Sequence, residues 1–70
     1  MKAKDFIGKE VLDVAANRIG KVADIELDIM EGVVYNVIVK AGLAKKYTLN
    51  LDQIDRIGDR VILKVAEDDL

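Results

Sequence analysis

Apolar and polar residues alternate with a period of two along most of this chain, which predicts strands with one face packed and one face wet. One phrase recurs at three corners of the pattern: Ile7-Gly8-Lys9-Glu10-Val11, Ile19-Gly20-Lys21-Val22 and Ile57-Gly58-Asp59-Arg60-Val61. Each copy heads a β-branched run, so each reads as a glycine bend feeding a strand. Asp5-Phe6-Ile7-Gly8 reads as a short turn that plugs one end of the core with Phe6. A first strand from Lys9 to Val14 places Val11 and Asp13 on one face and Leu12 and Val14 on the other. Ala15-Ala16-Asn17-Arg18 is then a hairpin connection, with Asn17 expected to carry the positive φ.

The second strand alternates most regularly, with Ala23, Ile25, Leu27 and Ile29 on one face and Asp24, Glu26 and Asp28 on the other. Gly32 in Met30-Glu31-Gly32 turns the chain into a third strand, Val33–Ala41. This strand is apolar on both faces: Val33, Tyr35, Val37 and Val39 alternate with Val34 and Ile38. After a loop over 42–45, Tyr47, Leu49 and Leu51 alternate in a fourth strand. Asp52 is placed as the cap of a helical turn through Gln53-Ile54-Asp55. A last strand follows over residues 60–65, with Val61, Leu63 and Val65 inward, Ile62 outward, and Glu67-Asp68-Asp69 a solvated tail. Leu51, Ile54, Gly58 and Val61 also fit a helix over 52–64; the Gly58-Asp59 break and the Val61-Ile62-Leu63 run favour the strand.

The expected fold is therefore all-β, a small barrel of five to six strands with a short helical turn before the last one, forming one domain over residues 1–70. A domain of this size buries only about 60% of its unfolded surface. The chain has no Cys and no His, so disulfides and the usual zinc sites are excluded as supports. Oligomerisation is the remaining common device, and a homodimer is the expectation.

No Ser, His or Cys is present and Thr48 is the sole aliphatic hydroxyl, so a nucleophile paired with a base cannot be built and no enzyme is expected. Asp24, Glu26 and Asp28 would stand about 6.5–7 Å apart on one face, a spacing that could attract a hard cation. As a calcium loop the segment fails, because Ile29 stands where Gly is needed and Tyr35 where Glu is needed. The row reads as a wet strand face, and Asp24 as a brace for a nearby backbone turn. Gly8, Gly20 and Gly58 open no helix, so no phosphate loop is present and no cofactor is expected. The net charge is -2, and Lys40, Lys45 and Lys46 are the nearest thing to a basic cluster, so nucleic acid is disfavoured. No apolar stretch approaches the roughly 20 residues that span a bilayer, and nothing near Met1 resembles a secretion signal, so membrane insertion is not expected and the cytoplasm is.

If Val33, Val37, Val39, Ile25, Leu27, Val61 and Leu63 fill the interior, then Val34, Ile38, Ile62 and Leu43 remain as outward apolar residues. They are the candidate interface, packed in a homodimer or a groove for another protein; the competing explanation is a wrapped sheet that buries both faces within one chain. Gly8, Gly20, Asp24, Gly32, Gly58 and Asp59 are the candidate turn and bend residues.

Three segments in this order and separation resemble a PRC-barrel domain: residues 5–11, residues 19–25 and residues 53–63. The resemblance covers nearly the whole chain and implies a small barrel of about half a dozen strands. The link from Gly42 to Tyr47 is short, and the family's frequent Pro ahead of the fourth strand is missing. With no membrane helix and no RNA-related domain beside it, the chain resembles the stand-alone archaeal type. Some of those are linked to cell division as partners of SepF, which anchors the FtsZ ring to the membrane. The resemblance thus implies a non-catalytic protein-interaction or adaptor module. The alternative is an RNA- or ribosome-associated maturation factor, with Tyr47 stacking and Lys40, Lys45 and Lys46 converging with Arg18 or Arg56.

Overall fold

The computed structural model describes residues 1–70. A one-turn helix, α1 (Ala3–Phe6), leads into six strands: β1 (Glu10–Leu12), β2 (Arg18–Asp28), β3 (Val33–Ala41), β4 (Lys45–Asn50), β5 (Ile54–Ile57) and β6 (Val61–Leu63). They form one sheet in the order β4-β3-β2-β1-β6-β5, antiparallel except where β1 meets β6. The sheet curls into a half-barrel without closing, since β4 and β5 stand at its two ends. The all-β expectation holds, and the stretch that also fitted a helix carries two strands, Ile54–Ile57 and Val61–Leu63.

The core is the concave side of this sheet: Phe6, Val11, Ile19, Val22, Val37, Val39, Leu49, Val61 and Leu63. Val11 is its centre, paired with Gly20 on one side and Val61 on the other. Phe6 plugs the core as expected, but from a helical turn, and Gly8, with φ +92, leaves that turn. Gly20 is not a corner. It lies inside β2, where β3 crosses so closely that a Cβ would collide with the Lys40 carbonyl oxygen and stand 2.9 Å from its carbon. Only glycine lets the two backbones approach this far.

Three further local expectations need correction. Ala16, and not Asn17, carries the positive φ of the first hairpin, at +67. Asn17 is occupied in binding Asp13 through both its backbone N–H and its side chain. The helical turn before the closing hairpin is a 3-10 turn, Leu51–Gln53, preceded by Asn50, whose N–H donates to Gln53 Oε1 at 3.0 Å. Asp52 therefore lies inside the turn and does not cap it, and Ile54–Asp55 begin a strand.

The acidic tail is likewise ordered as a 3-10 turn, Glu67–Asp69. Its anchor is Asp13, 2% exposed and the one charged residue buried in the protein. Asp13 Oδ1 accepts the N–H groups of Ala15 and Asn17 at 2.9 and 2.8 Å; Oδ2 accepts that of Glu67 at 3.0 Å and the Asn17 amide at 3.4 Å. Val14 N–H to the Val65 carbonyl, 3.0 Å, adds a backbone tie. Burial raises the affinity of Asp13 for a proton, but the donors from Asn17, Glu67 and Ala15 together outweigh it and hold the carboxyl below its ordinary value of 3.8.

A carboxyl depressed in the folded state contributes stability that is complete above its unfolded pKa and is lost as pH falls through the folded one. Denaturant midpoints measured from neutral pH to about pH 2 should therefore fall steeply for the native chain. In Asp13→Ala the neutral-pH midpoint starts lower, with Tm reduced by about 10 °C or more, and part of the acid dependence disappears. Backbone substitutions should separate in sign. Ala16→Gly relieves a left-handed conformation and raises stability by about 1 kcal/mol. Gly20→Ala lowers it by about 1–3 kcal/mol or more, because backbone must move.

Candidate interaction surface

The β2–β3 hairpin is the longest element, and two bulges decide which of its residues face the core. Between the Val22–Val39 and Asp24–Ile38 pairs, β2 carries one extra residue, Ala23. Between Glu26–Asn36 and Leu27–Val34, β3 carries one extra residue, Tyr35. An extra residue reverses the facing of everything beyond it on its own strand. Beyond Ala23 the core-side residues of β2 are therefore Ile25 and Leu27, in line with Val22 and not with Ala23. Beyond Tyr35 the core-side residue of β3 is Val34, and Val33 turns outward.

The hairpin continues past the end of the core. Eleven residues of β2 span roughly 33 Å at strand rise, close to the longest dimension of the molecule, 35 Å. Its far end forms an apolar arm: Leu27, Val33 and Tyr35 are exposed, as are Ile29 at 82% and Met30 at 93% beside the turn. Ile29 thus belongs to the hairpin turn and not to a buried strand face. At the base of the arm, Phe6, Ile25, Val34, Val37, Leu51 and Ile57 line an open apolar cleft of about 300 Å³, with Met1 at its rim.

The sequence-derived interface residues do not converge. Val34 is half-buried in this cleft, on the core side with Val37, while Ile38 is half-buried on the opposite face between Asp24 and Thr48. The expectation that Val34 and Ile38 share a face fails because Tyr35 is a bulge. The same bulge removes Val33 from the interior, and Leu27, though core-side, lies too far along the arm to be covered. Ile62 pairs with Leu12 on the convex face, flanked in register by Arg56 and Arg18. Leu43 is 99% exposed in the β3–β4 turn. Ile29, Met30 and Tyr35 are the apolar residues that sequence reasoning passed over. Their signal was present in the run Leu27 to Tyr35, which is too apolar for a solvated hairpin end.

Among the bend residues, Gly32 turns the hairpin with φ +69, and Gly58 and Asp59 lie in the β5–β6 bend. Asp24 sits beside the Ala23 bulge, where its Oδ1 accepts the next N–H, that of Ile25, at 2.8 Å. It braces its own bulge; the carboxylate that ties a neighbouring turn is Asp13. The other acidic residues of the row also have local donors, Asn36 Nδ2 for Glu26 at 3.0 Å and Glu31 N–H for Asp28 at 3.0 Å. That arrangement gives the row a structural explanation as a wet face.

The basic residues named for an RNA site divide between two faces. Lys40 and Lys46 pair on the convex side. Lys45 lies over the Tyr47 ring, 4.9 Å from its centroid, while the Tyr47 hydroxyl donates to Glu67 Oε2 at 3.3 Å. Hydrogen bonding and charge from Tyr47, aided by Glu67 and opposed by partial desolvation, hold the Lys45 ammonium above its ordinary pKa. Arg18 and Arg60 both pair with Glu10, at 3.1 and 3.0 Å. Tyr47 is thus engaged by Lys45 and Glu67, while Lys40 and Lys46 stand on the opposite face of the sheet.

No helix is long and apolar enough to cross a membrane. No curated protein matched the sequence. The family model of the PRC-barrel domain matches residues 1–70, the same span that carries the half-barrel, its three Ile-Gly segments and the projecting hairpin. The chain belongs to the PRC-barrel domain family over its whole length.

Proposed function

We propose that this PRC-barrel domain is a non-catalytic protein-interaction module that works as a homodimer, with the β2–β3 arm of one copy seated against that of another. The supporting observation is the uncovered apolar arm, Leu27, Ile29, Met30, Val33 and Tyr35, whose core-side Leu27 leads toward the cleft at its base while Val33 faces the other side. Isolated exposed apolar residues are ordinary, but a group of this size on one projecting element marks an association surface. A second copy is the simplest occupant, since an arm that projects from one barrel meets its equivalent under two-fold symmetry. Dimerisation also supplements a core of only nine apolar residues. The lack of Ser, His and Cys supports a role without catalysis.

The resemblance to stand-alone archaeal family members extends this reading to an adaptor in the cytoplasm that joins a SepF-type partner to the FtsZ system. The RNA-associated alternative has less support, because Tyr47 is engaged by Lys45 and Glu67 and the lysines divide between two faces.

Light scattering at micromolar concentration tests the dimer. The native chain should give twice the 7.7 kDa of one copy. Ile29→Asp with Met30→Asp, both at exposed positions, should give a folded monomer with Tm changed by only a few degrees. A native chain that stays monomeric, or a double variant that stays dimeric, contradicts the arm interface. Co-elution of the native dimer with purified SepF tests the finer reading, and its absence removes that reading while leaving the dimer in place.

A further inference from the structure

The convex face of the sheet carries a second feature that the fold does not explain. In the β2–β3 register Lys21 stands directly opposite Lys40, and in the β3–β4 register Lys40 stands directly opposite Lys46. Directly opposed residues share a face with Cβ atoms about 4.5–5.5 Å apart, and like charges so placed are destabilising. All three lysines are exposed, and none is in an ion pair. Glu10 continues the row beyond Lys21, but its carboxylate is already shared by Arg18 and Arg60. Arg18, Lys21 and Lys40 also border an open polar groove of about 470 Å³ beside Gly20. In a chain of net charge -2, three uncompensated cations in adjacent register are an expense that packing does not require.

The row ends on β4, and β4 is an edge strand that pairs with β3 alone. Lysines on an edge are commonly a guard against unwanted pairing. That explains Lys46, but it does not explain Lys40 and Lys21, which lie on interior strands. We infer that the open edge of β4 receives an extended acidic segment of a partner protein, whose backbone continues the sheet and whose carboxylate completes the Lys21–Lys40–Lys46 row.

The neighbouring side chains define the segment further. Past Lys46 the convex-side residues of β4 are Thr48 and Asn50, so the acidic requirement is concentrated at the lysine end. On the concave side β4 packs Leu49 into the core and holds Tyr47 half-buried, so a strand added at this edge sets its inward residues beside the core, which suits apolar residues alternating with the acidic ones. A polyphosphate chain fits less well. Asp24, Glu26 and Asp28 occupy the other half of the same face, and the Tyr47 ring lies on the opposite side. This surface is separate from the β2–β3 arm, so its success or failure leaves the dimer test unaffected.

Fluorescence anisotropy with a short labelled peptide of alternating Glu and Val provides the test, run beside oligouridine and phosphatidylglycerol vesicles. The peptide should bind the native chain, and binding should weaken about tenfold or more in Lys40→Glu and in Lys46→Glu. Raised salt should weaken it too. A version of the peptide N-methylated at alternate residues should not bind, because it cannot pair with the edge. Lys40→Glu should at the same time melt about 3–10 °C higher, since two repulsive pairs become attractive ones. Equal binding by both variants, or by the N-methylated peptide, overturns the inference. So does lysine-dependent binding of the RNA or the vesicles without binding of the peptide.

Discussion

Two single-residue bulges of opposite placement, Ala23 on β2 and Tyr35 on β3, set the character of this molecule. Each adds a residue to one strand, so their register offsets cancel and the hairpin stays paired from Lys21–Lys40 to Asp28–Val33. The facing of the side chains does not return to what simple alternation would give. Between the bulges and beyond them, Ile25, Leu27 and Val34 continue the core-side wall begun by Val22 and Val39, while Val33 is turned out. Bulges also strengthen twist, and the curl of the sheet continues along the same pair of strands. The close crossing of β2 and β3 at Gly20 is the other half of this geometry, because it brings the base of the hairpin tightly onto the core.

A small sheet that curls without closing gains from ties between segments distant in sequence. Here a buried carboxylate supplies one, linking the β1–β2 turn to the C-terminal 3-10 turn across a sequence separation of 54 residues. Its four donors come from Ala15, Asn17 and Glu67, so the first hairpin and the last segment of the chain are fastened at one point. A chain without disulfides gains through Asp13 a polar tie that is fully satisfied, which is the condition under which buried polar groups add order.

Five of the six strands and much of the core were legible from alternation alone; β5, Ile54–Ile57, overlaps the helical turn expected there. Val11, Val37, Val39, Val61 and Leu63 face inward as the period of two requires, and the placement of Asp13 beside Val11 on one face was readable as well. What alternation cannot show is where it is interrupted. Neither Ala23 nor Tyr35 is a glycine or a proline, so nothing local marked them as bulges, and the facings of Val33 and Val34 were exchanged as a consequence. The left-handed residue of the first hairpin escaped for a related reason. Asn17 has the better intrinsic propensity, but tertiary binding to Asp13 claims it, and the strain falls on Ala16. Val34 and Ile38, expected to share a face, stand on opposite ones for the same reason. The apolar excess of the hairpin end was visible in the sequence, and which of its residues are exposed depended on the register.

Methyl and backbone contacts across β2 and β3, measured by nuclear Overhauser spectroscopy on the native chain, test that register most directly. With Tyr35 bulged, Leu27 should show cross-strand contacts to Val34, and Asp28 to Val33. Contacts of Leu27 to Tyr35 and of Asp28 to Val34 would show an uninterrupted strand. They would restore Val33 to the core side and remove the physical basis of the projecting arm.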